Sequence, residues 1–98
     1  MDKLDNERLD ALYQAVLSLK TKEECKSFFI DICTVKEMND LAQRLEVAAL
    51  LMKRISYQEI SKITGASTAT ISRVSRSLNY GPGGYRTVLD ALKENNND

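Results

Sequence analysis

Between Ser67 and Arg76 the chain reads STATISRVSR, a run of short hydroxyls and one exposed-type methyl followed by guanidinium groups. Ser67, Thr68, Ala69 and Thr70 carry no long side chain, so a helix opening with them can sink its end into a major groove. There the hydroxyls can pair with base edges and the alanine methyl can touch thymine. Ser72 lies on the same outward face, and Arg73 and Arg76 follow where guanidinium groups can reach phosphates. These residues suit the reading of duplex DNA.

They can act only if two short helices present them. Ser56 with Glu59 three residues on is a capping pattern that opens a helix at Tyr57. Gly65 ends it after about two turns, because glycine enters the left-handed region without a Cβ clash. Ser67 offers the next N-cap oxygen, and Ile71, Val74 and Leu78 form one apolar stripe on a helix over Thr68–Leu78. Residues 56–78 therefore read as a helix-turn-helix, with Ile60 and Ile63 facing Ile71 and Val74 across the turn. Any helical hairpin needs caps, a glycine and a stripe, so the context must decide.

Net charge over the 98 residues is zero, which argues against an indiscriminate nucleic-acid binder. The distribution is uneven. From Met52 to Arg86 six bases stand against the single acid Glu59, a net +5, while residues 1–51 carry −3 and residues 87–98 carry −2. Such a dipole orients a protein on a polyanion. Cys25 and Cys33 are the only cysteines and there is no histidine, so neither a zinc site nor a cysteine–histidine pair can form, and no metal or catalytic residue is expected. On one helix the two cysteines would lie roughly 12 Å apart, too far for a disulfide, and they read as reduced core residues. The carboxylates fall mostly on polar helix faces, so an enzyme is the poorest reading.

The length implies one domain, residues 1–94, with a core small enough to benefit from a partner subunit. No apolar run near 18 residues and no leader pattern is present, and a cytoplasmic protein with no membrane partner is expected. Leu9, Leu12, Val16 and Leu19 give a first amphipathic helix over Leu4–Leu19, closed by Lys20 at the negative end of its dipole. Thr21 with Glu24 opens a second helix whose apolar positions are Cys25, Phe28, Phe29 and Ile32. Thr34 with Glu37 opens a third, Val35–Met52. Its main stripe is Met38, Leu41, Ala42, Leu45, Ala48, Ala49 and Met52, widened by Val47, Leu50 and Leu51. The glycines of Asn79–Tyr85 lack the lysine and strand of a phosphate loop and read as a turn. A last helix, about Tyr85–Lys93, carries Tyr85, Val88, Leu89 and Leu92 on one side, and residues 95–98 read as a disordered tail. The fold class is all-α, with six helices and no strand.

With LAQRLEVAALL in the third helix and TGASTATISRVSRSL around the fifth, the chain from about Leu9 to Leu92 resembles the Trp repressor superfamily, in its YerC/YecD-like branch. The resemblance implies an intertwined homodimer in which the first, second, third and last helices build a shared core. It further implies that Gln58, Ser67, Thr68, Ala69 and Thr70 approach bases while Ser72 and Arg76 face phosphates. Two recognition helices about 34 Å apart would then meet a near-palindromic operator. Family members hold L-tryptophan between two arginines, a threonine and a serine, at positions matched here by Arg44, Arg73, Thr34 and Ser77. The family glycine after the recognition-helix arginine is Val74 here, whose branched side chain would crowd an indole. No cofactor is therefore expected, with L-tryptophan as the alternative effector. The implied function is a homodimeric, sequence-specific transcriptional regulator of repressor type. The alternative is a dimeric interaction module whose helix-turn-helix contacts protein.

Overall fold

The computed structural model describes residues 5–96, and these form six α-helices and no strand. In order they are α1 (Asn6–Leu17), α2 (Lys22–Ile32), α3 (Val35–Met52), α4 (Tyr57–Thr64), α5 (Thr68–Tyr80) and α6 (Gly84–Asn96). No helix among the described residues is long and apolar enough to cross a membrane. The chain divides into two compact units, one ending at Met38 and one beginning at Asn39. The cause is visible in the burial. Neither α1 nor α2 contains a buried residue, and the buried apolar side chains of the described residues all lie from Val47 onward.

In the first unit, Asp5 caps α1 by accepting from the Arg8 main-chain N–H at 3.1 Å, and its carboxylate pairs with the Arg8 guanidinium at 3.2 Å. The expected first residue, Leu4, lies outside the described residues. The helix stops at Leu17, two residues early, because Ser18 closes it: the Ser18 hydroxyl donates to the Ala15 carbonyl at 2.6 Å. Lys20 is thus outside α1, and its backbone N–H instead donates to Glu24 Oε1 at 2.9 Å. The Glu24 N–H donates in turn to Thr21 Oγ1 at 3.0 Å, so the expected cap of α2 forms. Phe28 and Phe29 pack edge to face with centroids 5.6 Å apart. Cys25 and Cys33 are both free thiols and half-buried. Ile32, expected among the apolar contacts, is 51% exposed. Thr34 and Glu37 cap α3 reciprocally, Glu37 N–H to Thr34 Oγ1 at 3.1 Å and Thr34 N–H to Glu37 Oε1 at 2.8 Å.

The second unit has a compact core of Val47 and Ala48 from α3, Ile60 from α4, Ala66 from the turn, and Ile71 and Val74 from α5. Leu50, Leu51, Ile55, Tyr85 and Leu89 pack around it. Val47, expected only to widen the stripe of α3, is therefore at its centre, while Leu41 and Leu45 on the expected main stripe are exposed. The side chains that α3 buries in this core come from its C-terminal half.

Ile63 is a second departure: it is 51% exposed instead of facing α5. Ile60, Ser61 and Thr64 share the inner face of α4, which turns Ile63 outward. Ser61 Oγ donates to the Ala66 carbonyl at 2.8 Å, and Thr64 Oγ1 donates to the Ile60 carbonyl at 2.8 Å while accepting from the Ala66 N–H at 3.1 Å.

The end of α3 is a Schellman turn. Ile55 N–H donates to the Leu50 carbonyl at 3.2 Å and Arg54 N–H to the Leu51 carbonyl at 2.9 Å, which places Arg54 in the left-handed region at φ 63°. An L-residue held there costs roughly 1–2 kcal/mol relative to glycine.

Helix α5 runs two residues past Leu78, so Asn79 and Tyr80 are helical and the turn begins at Gly81. A Cβ on Gly81 would sit 2.5 Å from the Ser77 carbonyl oxygen, so only glycine lets the chain turn so close to the helix end. Val88 and Leu92 of α6, on the same expected apolar side as Tyr85 and Leu89, are 48% and 45% exposed. The helix itself continues beyond Lys93 to Asn96, so Asn95 and Asn96 of the expected tail are helical, and residues 97–98 lie outside the described residues.

Candidate nucleic-acid interface

The tip expected from the sequence is assembled by caps. Ser56 Oγ accepts from Glu59 N–H at 3.2 Å and opens α4. Gly65, at φ 76°, closes α4 and gives its N–H to the Ser61 carbonyl at 2.8 Å. After Ala66, Ser67 Oγ accepts from Thr70 N–H at 3.1 Å and opens α5. Three residues thus join the helices, each held by a named interaction.

Gln58, Ser67, Thr68, Ala69, Ser72 and Arg76 are all exposed, whereas Thr70 is half-buried. Ser67 and Thr70 are partly committed to the cap: besides accepting the Thr70 N–H, the Ser67 hydroxyl donates to Thr70 Oγ1 at 3.1 Å. The groups left to meet an outside partner at the tip are the Thr68 hydroxyl, the Ala69 methyl and the remaining Thr70 O–H. Thr68, the first residue of α5, shares one groove with Ser56, Tyr57, Gln58, Glu59, Ser61 and Lys62 of α4 and its cap. The fold therefore brings Gln58 and Thr68 together, as expected. Lys62 was missed from the sequence. Its signal was the four-residue spacing from Gln58, which puts both on one face of α4.

Helix α5 contains no acid, and Arg73 and Arg76 are exposed. Neither forms an ion pair among the described residues, so both guanidinium groups can meet an external anion.

Of the four residues aligned with an effector site, two converge. Arg44 and Ser77 line an apolar cleft of about 500 Å³ with Leu41, Leu45, Pro82, Gly84, Tyr85 and Val88. Arg44 has no carboxylate partner among the described residues. Arg73 is not among the residues lining the cleft, and Thr34 belongs to the N-terminal unit. Val74 is 1% exposed and packed in the core, and it is not among the residues lining this cleft.

The chain matches the Trp repressor protein family over residues 7–93. It is 54% identical over 94 residues to the uncharacterized protein YerC of Bacillus subtilis (strain 168), covering 96% of this chain and 90% of that one. Its fold is similar to the crystal structure of a TrpR-like protein from Eubacterium eligens ATCC 27750, with TM-score 0.88, 50% identity and coverage of 92% of this chain and 93% of the other. A candidate Trp repressor from Staphylococcus aureus gives TM-score 0.84 and 44% identity, covering 93% of this chain and 96% of that one. With a family match across nearly its whole length and the same six-helix architecture, the chain belongs to the Trp repressor family.

Proposed function

We propose that the chain is a sequence-specific DNA-binding transcriptional regulator that acts as a homodimer on a near-palindromic operator and represses by occupying a promoter. The observation that carries this reading is the α5 surface: Thr68, Ala69, Ser72, Arg73 and Arg76 are exposed on a helix without a single acid, behind a tight and fully capped turn. Short groups at the tip suit base edges and the arginines suit phosphates. Gln58 and Lys62 add a donor–acceptor amide and a cation on the flank of the same groove.

Dimerisation is supported by what the chain leaves uncovered. Leu41 and Leu45 of α3 and Val88 and Leu92 of α6 are exposed, as are Leu12, Val16 and Leu17 of α1. So many large apolar side chains in 98 residues call for a covering surface, and a second copy provides one with two-fold symmetry. L-tryptophan has no part in this reading, because Arg73 does not line the cleft that Arg44 and Ser77 share.

Fluorescence-anisotropy titration against labelled genomic fragments tests the proposal. A few fragments should bind on the order of 10³-fold or more tighter than the remainder at physiological salt. Equal affinity for every fragment, varying only with salt, contradicts it.

A further inference from the structure

A second basic site lies in the C-terminal unit, on the far half of α5 from the tip. A small polar cavity there is lined by Arg54, Ser75, Asn79 and Arg86, over the apolar side chains of Leu51, Met52 and Leu78. No carboxylate lines it. Arg86 Nη2 donates to Asn79 Oδ1 at 3.4 Å, and Asn79 Nδ2 donates to Ser75 Oγ at 3.4 Å. Both contacts are long, and they leave the Ser75 O–H and the other Arg86 donors available. Arg54 stands at the one non-glycine position with positive φ among the described residues. Glycine would hold that Schellman turn without strain, so the turn alone does not account for an arginine there.

We propose that this cavity binds a phosphate group, and that the backbone of duplex DNA flanking the segment read by the α5 tip supplies it; the inference rests on the DNA-binding reading above. Two guanidinium groups and a hydroxyl lining one cavity match the oxygens of a phosphodiester, and the apolar floor limits water on one side. The direction of the surface favours DNA over a free anion. Ser72, Arg76 and Asn79 follow at four- and three-residue spacings and share one face of α5, so the cavity continues the stripe of phosphate-facing residues. Asn79 lies about 15 Å along the helix from Ala69, beyond base edges touched by the tip but within reach of a flanking strand.

Arg54→Gly, Arg86→Gln and the double variant, each in the full chain, provide the test. Affinity for a bound duplex is measured by anisotropy across a potassium chloride series, with thermal unfolding recorded alongside. The double variant should lose roughly one from the slope of log K against log salt, the amount for one lost phosphate contact, with the ranking of DNA sequences unchanged. Arg54→Gly should unfold at the same or a higher temperature while binding DNA less tightly, which separates a ligand contact from a structural one. In parallel, inorganic phosphate is titrated while the Ser75 and Asn79 amide resonances are followed. If the slope does not change but phosphate shifts these resonances in the natural chain and not in the double variant, the phosphate site stands and DNA is not its source. If the natural chain binds no DNA at all, the regulator reading fails and the same titration alone decides the site. An unchanged slope, where DNA binds, together with no response to phosphate overturns the proposal.

Discussion

The side-chain amide of Gln43 donates a 3.2 Å hydrogen bond to the main-chain carbonyl of Thr64, tying α3 to the last turn of α4. A carbonyl at a helix end has no partner within its own helix, and here a residue 21 positions earlier supplies one. The bond fixes α4 immediately before the turn that aims α5.

Gln43→Ala should therefore destabilise the fold by about 1 kcal/mol, the net worth of one such bond with its acceptor left half-buried. For a domain of this size that corresponds to a fall of about 4–8 °C in melting temperature. Circular-dichroism melts at one fixed protein concentration check it.

Gly65→Ala isolates the backbone cost of the turn. Nothing lies within 4 Å of where a Cβ would be placed, so the methyl meets no clash and the whole penalty comes from φ 76°. A loss of roughly 1–2 kcal/mol is expected in urea unfolding, and Gly65→Asn should lose less because asparagine tolerates the left-handed region.

Much of this was legible in the sequence because it is local. Ser56 with Glu59, Thr21 with Glu24, Thr34 with Glu37, Gly65 and Ser67 each set a helix boundary through interactions within a few residues, and each boundary stands where the chain places it. The side chain that a helix turns inward is a tertiary matter. Ile63 and Ile60 have the same chemistry, and only the hydroxyl contacts of Ser61 and Thr64 show that Ile63 faces outward. Leu41, Leu45, Val88 and Leu92 follow a perfect stripe yet are exposed, since periodicity marks an apolar face without saying which chain covers it. At the tip, residue types gave Thr68 and Ala69, but the sharing of Ser67 and Thr70 by the cap needed geometry. The cavity at Arg54 and Arg86 joins residues 32 positions apart around a turn that sequence preferences would have assigned to glycine.

No dependence on tryptophan is expected, because Arg73 stands outside the cleft that Arg44 and Ser77 line. Isothermal titration of the natural chain with L-tryptophan should show no binding tighter than about 100 μM. Val74→Ala should cost about 2 kcal/mol or more, because two buried carbons are removed from a core position that is 1% exposed.

Selection of bound duplexes from a random DNA pool tests most directly whether the α5 tip reads sequence as one half of a symmetric pair. A two-fold symmetric consensus is expected, with half-sites about one helical turn apart. Emergence of no consensus, with every duplex retained in proportion to its length and the salt concentration, would contradict it.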